Sequence, residues 1–217
     1  MSRRLGVLVV ALVLLLTACG GGGESAGSGA GAGTAASGTT GTPGTAGGSD
    51  VLLWGDGDYG VVLAHGAAFD AASWQAQATA IAEQGATVVA VEDISTGAIA
   101  AAVQALQDDG IERVALVGGS AGADAILRLA SEQPGLADQL VLLSPNTVVD
   151  GLGEQPKLFI ASEGEAVADV PEQLVAASPG DDNEVLLVGG SAHAQNLFDS
   201  DQGPEVLAAV LDRLDVG

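Results

Sequence analysis

Short runs of valine and leucine alternate with alanine-rich amphipathic segments across most of this chain, and that alternation limits its fold more than any other feature. Extended runs fall at 51–54, 59–64, 87–91, 113–117, 140–143, 157–161 and 184–188; helical periodicity falls at 71–84, 98–106, 121–130, 171–177 and 205–214. Runs that stay apolar, rather than alternating with polar residues, are buried on both faces. The class expected is therefore α/β, a mostly parallel sheet flanked by helices on both faces. The first two runs, joined through Gly55-Asp56-Gly57-Asp58, read as a hairpin. In open sheets of this kind ligands bind beyond the carboxyl ends of the strands.

The chain ahead of these runs has a different character. Arg3 and Arg4 precede an apolar run from Leu5 to Leu16, too short to be a stable membrane span, and the small residues Thr17-Ala18-Cys19 follow. Residues 1–18 thus read as a secretory signal. Leu16-Thr17-Ala18-Cys19 resembles the signal of bacterial lipoproteins, which implies that Cys19, the only cysteine, becomes a lipidated first residue. Residues 19–49, nearly all glycine, alanine, serine and threonine, have too little apolar surface to offset chain entropy and are expected to form a disordered tether. The folded domain is then expected at 50–217, in an extracytoplasmic, membrane-anchored protein.

Charge narrows the partners. The chain carries 28 Asp and Glu against 6 Lys and Arg, a net charge of −22. Nucleic acid is excluded as a partner on this ground, and contact with a membrane is expected through the lipid anchor only.

Two similar stretches mark the chemistry: Val114 to Gly122 reads VALVGGSAG, and Val185 to His193 reads VLLVGGSAH. Within the first, Gly118-Gly119-Ser120-Ala121-Gly122 matches G-x-S-x-G between an extended run and a helical one. In that context the motif is a sharp strand-to-helix turn that lifts a serine hydroxyl clear of the sheet. A serine needs a base, and in this arrangement the base follows the nucleophile in the chain. Of the two histidines, His65 and His193, only the second does so. The two stretches are therefore read as halves of one site, with Ser120 as nucleophile, His193 as base and Ser191 as a decoy. An oxyanion needs two backbone N–H donors. Ala121, next to the nucleophile, supplies one and Ala67 the other, with Ala68 as second choice; His65 is read as fixing that loop by hydrogen bonds.

These residues, with His65-Gly66, Trp74, the segment Glu92 to Gly97, Leu143-Ser144-Pro145-Asn146 and Gly190-Ser191-Ala192-His193, make the chain resemble the α/β-hydrolase superfamily, in particular its small, cap-less bacterial serine hydrolases. The resemblance implies a minimal α/β-hydrolase fold and a Ser-His-acid triad that cleaves esters through an acyl-enzyme without cofactor or metal. It places the acid a few residues past the run 157–161. Glu165 stands at the matching place, with one methylene more than the usual aspartate, and Asp169 and Glu163 remain alternatives. Ala194 departs from the resemblance, since relatives often have glycine after the histidine. No helical insertion separates 143 from 157, so small or short-acyl esters are expected. Two readings compete: a non-catalytic binding or structural lipoprotein on the same fold, and a hydrolase of amides, thioesters or a lactone, or an acyltransferase, which share the acyl-enzyme chemistry.

Overall fold

The computed structural model describes residues 40–214. The signal segment, Cys19 and most of the expected tether lie outside the described residues. An eight-stranded sheet runs in the order β1-β2-β4-β3-β5-β6-β7-β8. The strands are β1 Thr42–Ala46, β2 Ser49–Trp54, β3 Tyr59–Ala64, β4 Ala86–Val91, β5 Arg113–Gly119, β6 Gln139–Leu143, β7 Lys157–Ser162 and β8 Asn183–Val188. From β4 to β8 every neighbouring pair is parallel. The helices are α1 Gln75–Glu83, α2 Thr96–Asp108, α3 Ala121–Glu132, α4 Val170–Ala177 and α5 Gly203–Arg213.

Strand residues alternate between two cores, as a pleated sheet requires. Val62, Ala64, Val114 and Leu116 face one side with Ile99, Val103, Ile126, Leu127 and Leu174 of α2, α3 and α4. Val61, Leu63, Ala115 and Val117 face the other, with Trp74, Ile81, Val206 and Val210, next to α1 and α5. All six residues of β3 are buried, which is the physical content of its unbroken apolar run.

Two expectations are corrected. The tether was expected to extend to residue 49, but Thr42–Ala46 is an edge strand paired antiparallel with β2, from Thr42 opposite Leu53 to Ala46 opposite Ser49. Gly47 and Gly48, with φ of 56° and 89°, make the two-residue turn between them, so the folded domain begins ahead of Asp50. The hairpin expected between the first two apolar runs is also absent: β2 pairs antiparallel with β4, Val51 opposite Val91, and β4 lies between β2 and β3. The connection from β2 to β3 passes tightly against the start of β4. A Cβ on Gly57 would lie 1.6 Å from the Gly85 carbonyl oxygen, and one on Gly55 2.0 Å from that of Ala86. Glycine lets the chain cross there, and β3 gains a parallel partner on each side.

Two buried polar side chains, Lys157 and Tyr59, lie at the amino ends of the strands. Lys157 is fully buried, and its Nζ donates to the carbonyl oxygens of Gln155 at 2.7 Å and Pro179 at 3.1 Å and to Asn183 Oδ1 at 3.1 Å. Burial holds its pKa below the usual lysine value. The Tyr59 hydroxyl donates to Gln139 Oε1 at 3.1 Å, and its pKa is pushed up to about 12 by burial first, then by Asp138, against the opposing pull of Arg113.

Candidate active site

β5 delivers Ser120 at its carboxyl end. The residue has φ 49° and ψ −112°, a conformation that L-residues rarely adopt, and its N–H donates to the Leu143 carbonyl at 2.9 Å. The glycines around it are forced by space. A Cβ on Gly118 would meet the amide nitrogen of Ala123 at 2.8 Å, and one on Gly122 would lie 2.3 Å from the Ala64 carbonyl oxygen. Gly122→Ala is therefore expected to destabilise the domain by about 1–3 kcal/mol, since backbone on two elements must move apart. A melting temperature within a degree of wild type would contradict this.

The two quoted stretches meet here. His193, in the loop after β8, brings Nε2 to 2.8 Å from Ser120 Oγ, while its Nδ1 lies 2.6 Å from Glu165 Oε2. A carboxylate only accepts, so Nδ1 carries the proton and Nε2 is left as an acceptor for the serine hydroxyl. Glu165 is nearly enclosed, at 4% side-chain exposure, whereas His193 is 41% exposed. The second carboxylate oxygen, Oε1, accepts from the Ser162 N–H at 2.7 Å and the Ser144 hydroxyl at 2.9 Å. The acid is thus held on both oxygens. Glu163 is exposed. Asp169, also exposed, accepts from the Gln173 side chain at 2.8 Å.

Ala194 takes φ 54°, the left-handed backbone that glycine would adopt more readily. Its N–H donates to Ser144 Oγ at 2.9 Å. Ser144, itself at φ 48° and fully buried, therefore joins Glu165 to the loop that carries His193. The bond to the Ala194 N–H holds the turn in which the alanine sits.

In the loop after β3, a turn closed by the Phe69 N–H on the Gly66 carbonyl, at 3.0 Å, has Ala67 and Ala68 at its centre. Both are exposed, and among the described residues neither the Ala67 N–H nor that of Ala121, at the first position of α3, has a hydrogen-bond partner. The first N–H groups of a helix lack intrahelical acceptors, so the Ala121 donor is open by construction. His65 is buried with Nδ1 2.8 Å from the Gly66 carbonyl and Nε2 3.0 Å from that of Glu92. It pins the loop, and its ring is bonded to the Gly66 and Glu92 carbonyls rather than to Ser120 or His193.

Sequence reasoning missed three contributors. Gln195 is buried; its Oε1 accepts from the Gly66 N–H at 3.0 Å and its Nε2 donates to the Ser73 hydroxyl at 2.9 Å, which ties the histidine loop to the loop of Ala67. Asp124, in the first turn of α3, accepts on Oδ1 from the N–H groups of Asn146 at 2.9 Å and Thr147 at 3.1 Å. Asn146 Nδ2 lies 2.9 Å from Asp124 Oδ2 and 3.3 Å from Ser120 Oγ. An acid one turn into the helix and an asparagine after β6 were the available signals.

Between β6 and β7 the chain forms no helix and no strand. A cavity of about 450 Å³ lies at the amino ends of the strands, beside Gln139, Asp182 and Arg213, far from the serine. Another, of about 310 Å³, is lined by Gly190, Ser191, Ala192 and Gln202 and opens beside the histidine loop.

No family model matches the chain, and no curated protein matches it in sequence. Solved structures do. An esterase from the bacterial hormone-sensitive lipase family superposes with a TM-score of 0.68 at 16% identity, covering 80% of this chain and 83% of that one. A monoacylglycerol lipase of Paleococcus ferrophilus gives 0.62 at 13% identity, covering 76% and 97%. A predicted CIB-like hydrolase of Thermoplasma acidophilum gives 0.63 at 17%, covering 80% and 97%. Likeness at this level of identity speaks to architecture, and with the parallel sheet, the strained serine turn and the helices on both faces it leads to one conclusion: the chain has the α/β-hydrolase fold.

Proposed function

We propose that this protein is a serine hydrolase that cleaves small or short-acyl carboxylic esters. The observation that carries the reading is the unbroken hydrogen-bonded line from Ser120 Oγ through His193 to Glu165, at 2.8 and 2.6 Å. In the proposed reaction His193 Nε2 takes the hydroxyl proton as Oγ bonds to the ester carbonyl carbon. The N–H groups of Ala67 and Ala121 hold the oxyanion, and Nε2 then gives the proton to the departing alcohol. Water attacks the acyl-enzyme by the same route, its proton passing through Nε2 back to Oγ as the acid leaves. Glu165 keeps the imidazole in the required tautomer and stabilises the imidazolium. The structural neighbours include a monoacylglycerol lipase and an esterase, which is in keeping with this chemistry. The preference for small esters rests on the connection between β6 and β7, too short and irregular to wall in a long chain.

The test is covalent. Wild type is expected to take up a fluorophosphonate on Ser120 and to release nitrophenolate from p-nitrophenyl acetate with an initial burst. A folded wild type inert to both would favour a binding protein on the same fold.

We further propose that the domain is held outside the cytoplasm by lipid on Cys19, a reading supported by the signal-like segment before it. Cys19→Ser in a bacterial host is expected to move the protein from the membrane fraction to the soluble one. Unchanged membrane fractionation would overturn the anchor.

A further inference from the structure

Asn146 has no place in the reaction described so far, yet its amide touches the reacting oxygen. Asp124 Oδ2 can only accept, so the Asn146 atom 2.9 Å from it is the NH₂ group. With one N–H given to that carboxylate, the other points to Ser120 Oγ at 3.3 Å. The backbone N–H of Asn146 donates to Asp124 Oδ1 at 2.9 Å, and the Thr147 hydroxyl adds a bond to the same oxygen at 3.0 Å. Side chain and backbone are therefore clamped to one carboxylate, itself fixed on α3. Ser120 Oγ receives a donor from Asn146 on one side and gives its own proton to His193 on the other.

We infer that Asn146 is a catalytic residue of the deacylation step, its N–H stabilising Ser120 Oγ as that oxygen leaves the acyl group, with Asp124 as its positioning residue. The inference rests on the serine-hydrolase reading above. During acylation a donor on Oγ makes the hydroxyl easier to deprotonate but makes the oxygen a weaker nucleophile, and the two effects oppose each other. During deacylation Oγ is the leaving group. The C–Oγ bond breaks, electron density returns to Oγ, and the proton arrives from His193 Nε2; a donor already in place there only helps. The consequence is an asymmetry between the two half-reactions.

The experiment compares wild type, Asn146→Ala, Asn146→Leu and Asp124→Ala on p-nitrophenyl acetate. Acylation is read from kcat/KM and the burst rate, and deacylation from the decay of the acetyl-enzyme by intact mass after a short pulse. Both Asn146 variants, with melting temperatures checked, are expected to slow deacylation on the order of tenfold, as befits one long hydrogen bond. The kcat/KM should stay within about twofold, because the effects on attack cancel. Asp124→Ala should move deacylation in the same direction, which a merely structural role would not do without lowering kcat/KM too. Equal deacylation rates in wild type and both Asn146 variants, or parallel loss of both half-reactions, would overturn the inference. A wild type with no burst and no acyl adduct on Ser120 removes the hydrolase reading and this one with it. A wild type with a burst, silenced in Ser120→Ala, keeps the first and leaves the Asn146 variants to decide the second.

Discussion

Ser120→Ala and Ser120→Gly are both expected to lower ester turnover by on the order of 10⁴-fold or more, because no other group replaces the nucleophile in a Ser-His-acid site. They should differ in stability. At φ 49° and ψ −112° the backbone of residue 120 lies where a Cβ is strained and glycine is not. Ser120→Gly is therefore expected to be about 1 kcal/mol more stable than Ser120→Ala, a difference of about 2–4 °C in Tm for a domain of this size. Residual turnover above a hundredth of wild type in either variant would remove Ser120 from the role of nucleophile. Equal melting temperatures would mean that the turn stores no strain that glycine relieves.

Glu165→Gln should cost on the order of 10⁴-fold in kcat, through the tautomer of a residue it does not replace. Oε1 accepts from the Ser162 N–H at 2.7 Å, a backbone donor that cannot reverse, so the glutamine oxygen must stay at that position. Its NH₂ then faces His193 Nδ1, where Oε2 lies 2.6 Å away in the native side chain. Nδ1 has to accept, the ring proton moves to Nε2, and the Ser120 hydroxyl loses its acceptor. Glu165→Asp keeps the charge but withdraws it by one methylene, and a loss on the order of 10²-fold is expected. Glu163→Gln and Asp169→Asn should stay within about twofold, since Asp169 bonds to Gln173 and Glu163 faces solvent. A full loss in either of these, with Glu165→Gln active, would reassign the acid.

The contrast between these carboxylates explains what the sequence could and could not disclose. Ser120 and His193 were legible because each sits where a local pattern changes, an apolar strand running into glycine and then into helix or loop. The acid was not settled, because Glu163, Glu165 and Asp169 share one short polar segment and only the turn after β7 decides which one points inward. There the Glu165 N–H bonds back to the Ser162 carbonyl at 3.2 Å. Gln195 and Asn146 stayed hidden for a different reason. Their partners Gly66 and Ser120 are 129 and 26 residues away in the chain, and no periodicity records such contacts.

The fold was legible where burial writes itself into composition, and illegible at one edge. Thr42–Ala46 has the polar, glycine-flanked composition of the segment before it. Only Gly47-Gly48, a turn signal within a glycine-rich stretch, separated strand from tether. The misplaced hairpin has another origin: two strands adjacent in sequence need not be adjacent in a sheet when the intervening loop can cross a third. Gly55 and Gly57 permitted that crossing.

That edge strand also decides how the domain would yield to a pull. Tension arriving along the chain from residues before Thr42 meets first the Gly41 N–H bond to Gln75 Oε1, at 3.2 Å, and then the pairing of Thr42 with Leu53. Because β1 turns back at Gly47-Gly48 and, among the described residues, pairs with β2 alone, its bonds would open in sequence like a zipper rather than shear together. Ser120, Glu165 and His193 follow β5, β7 and β8, on the other side of β2, β4 and β3 in the sheet order. The edge strand is thus a mechanical fuse, able to lengthen under load while the turns that carry Ser120, Glu165 and His193 keep their shape.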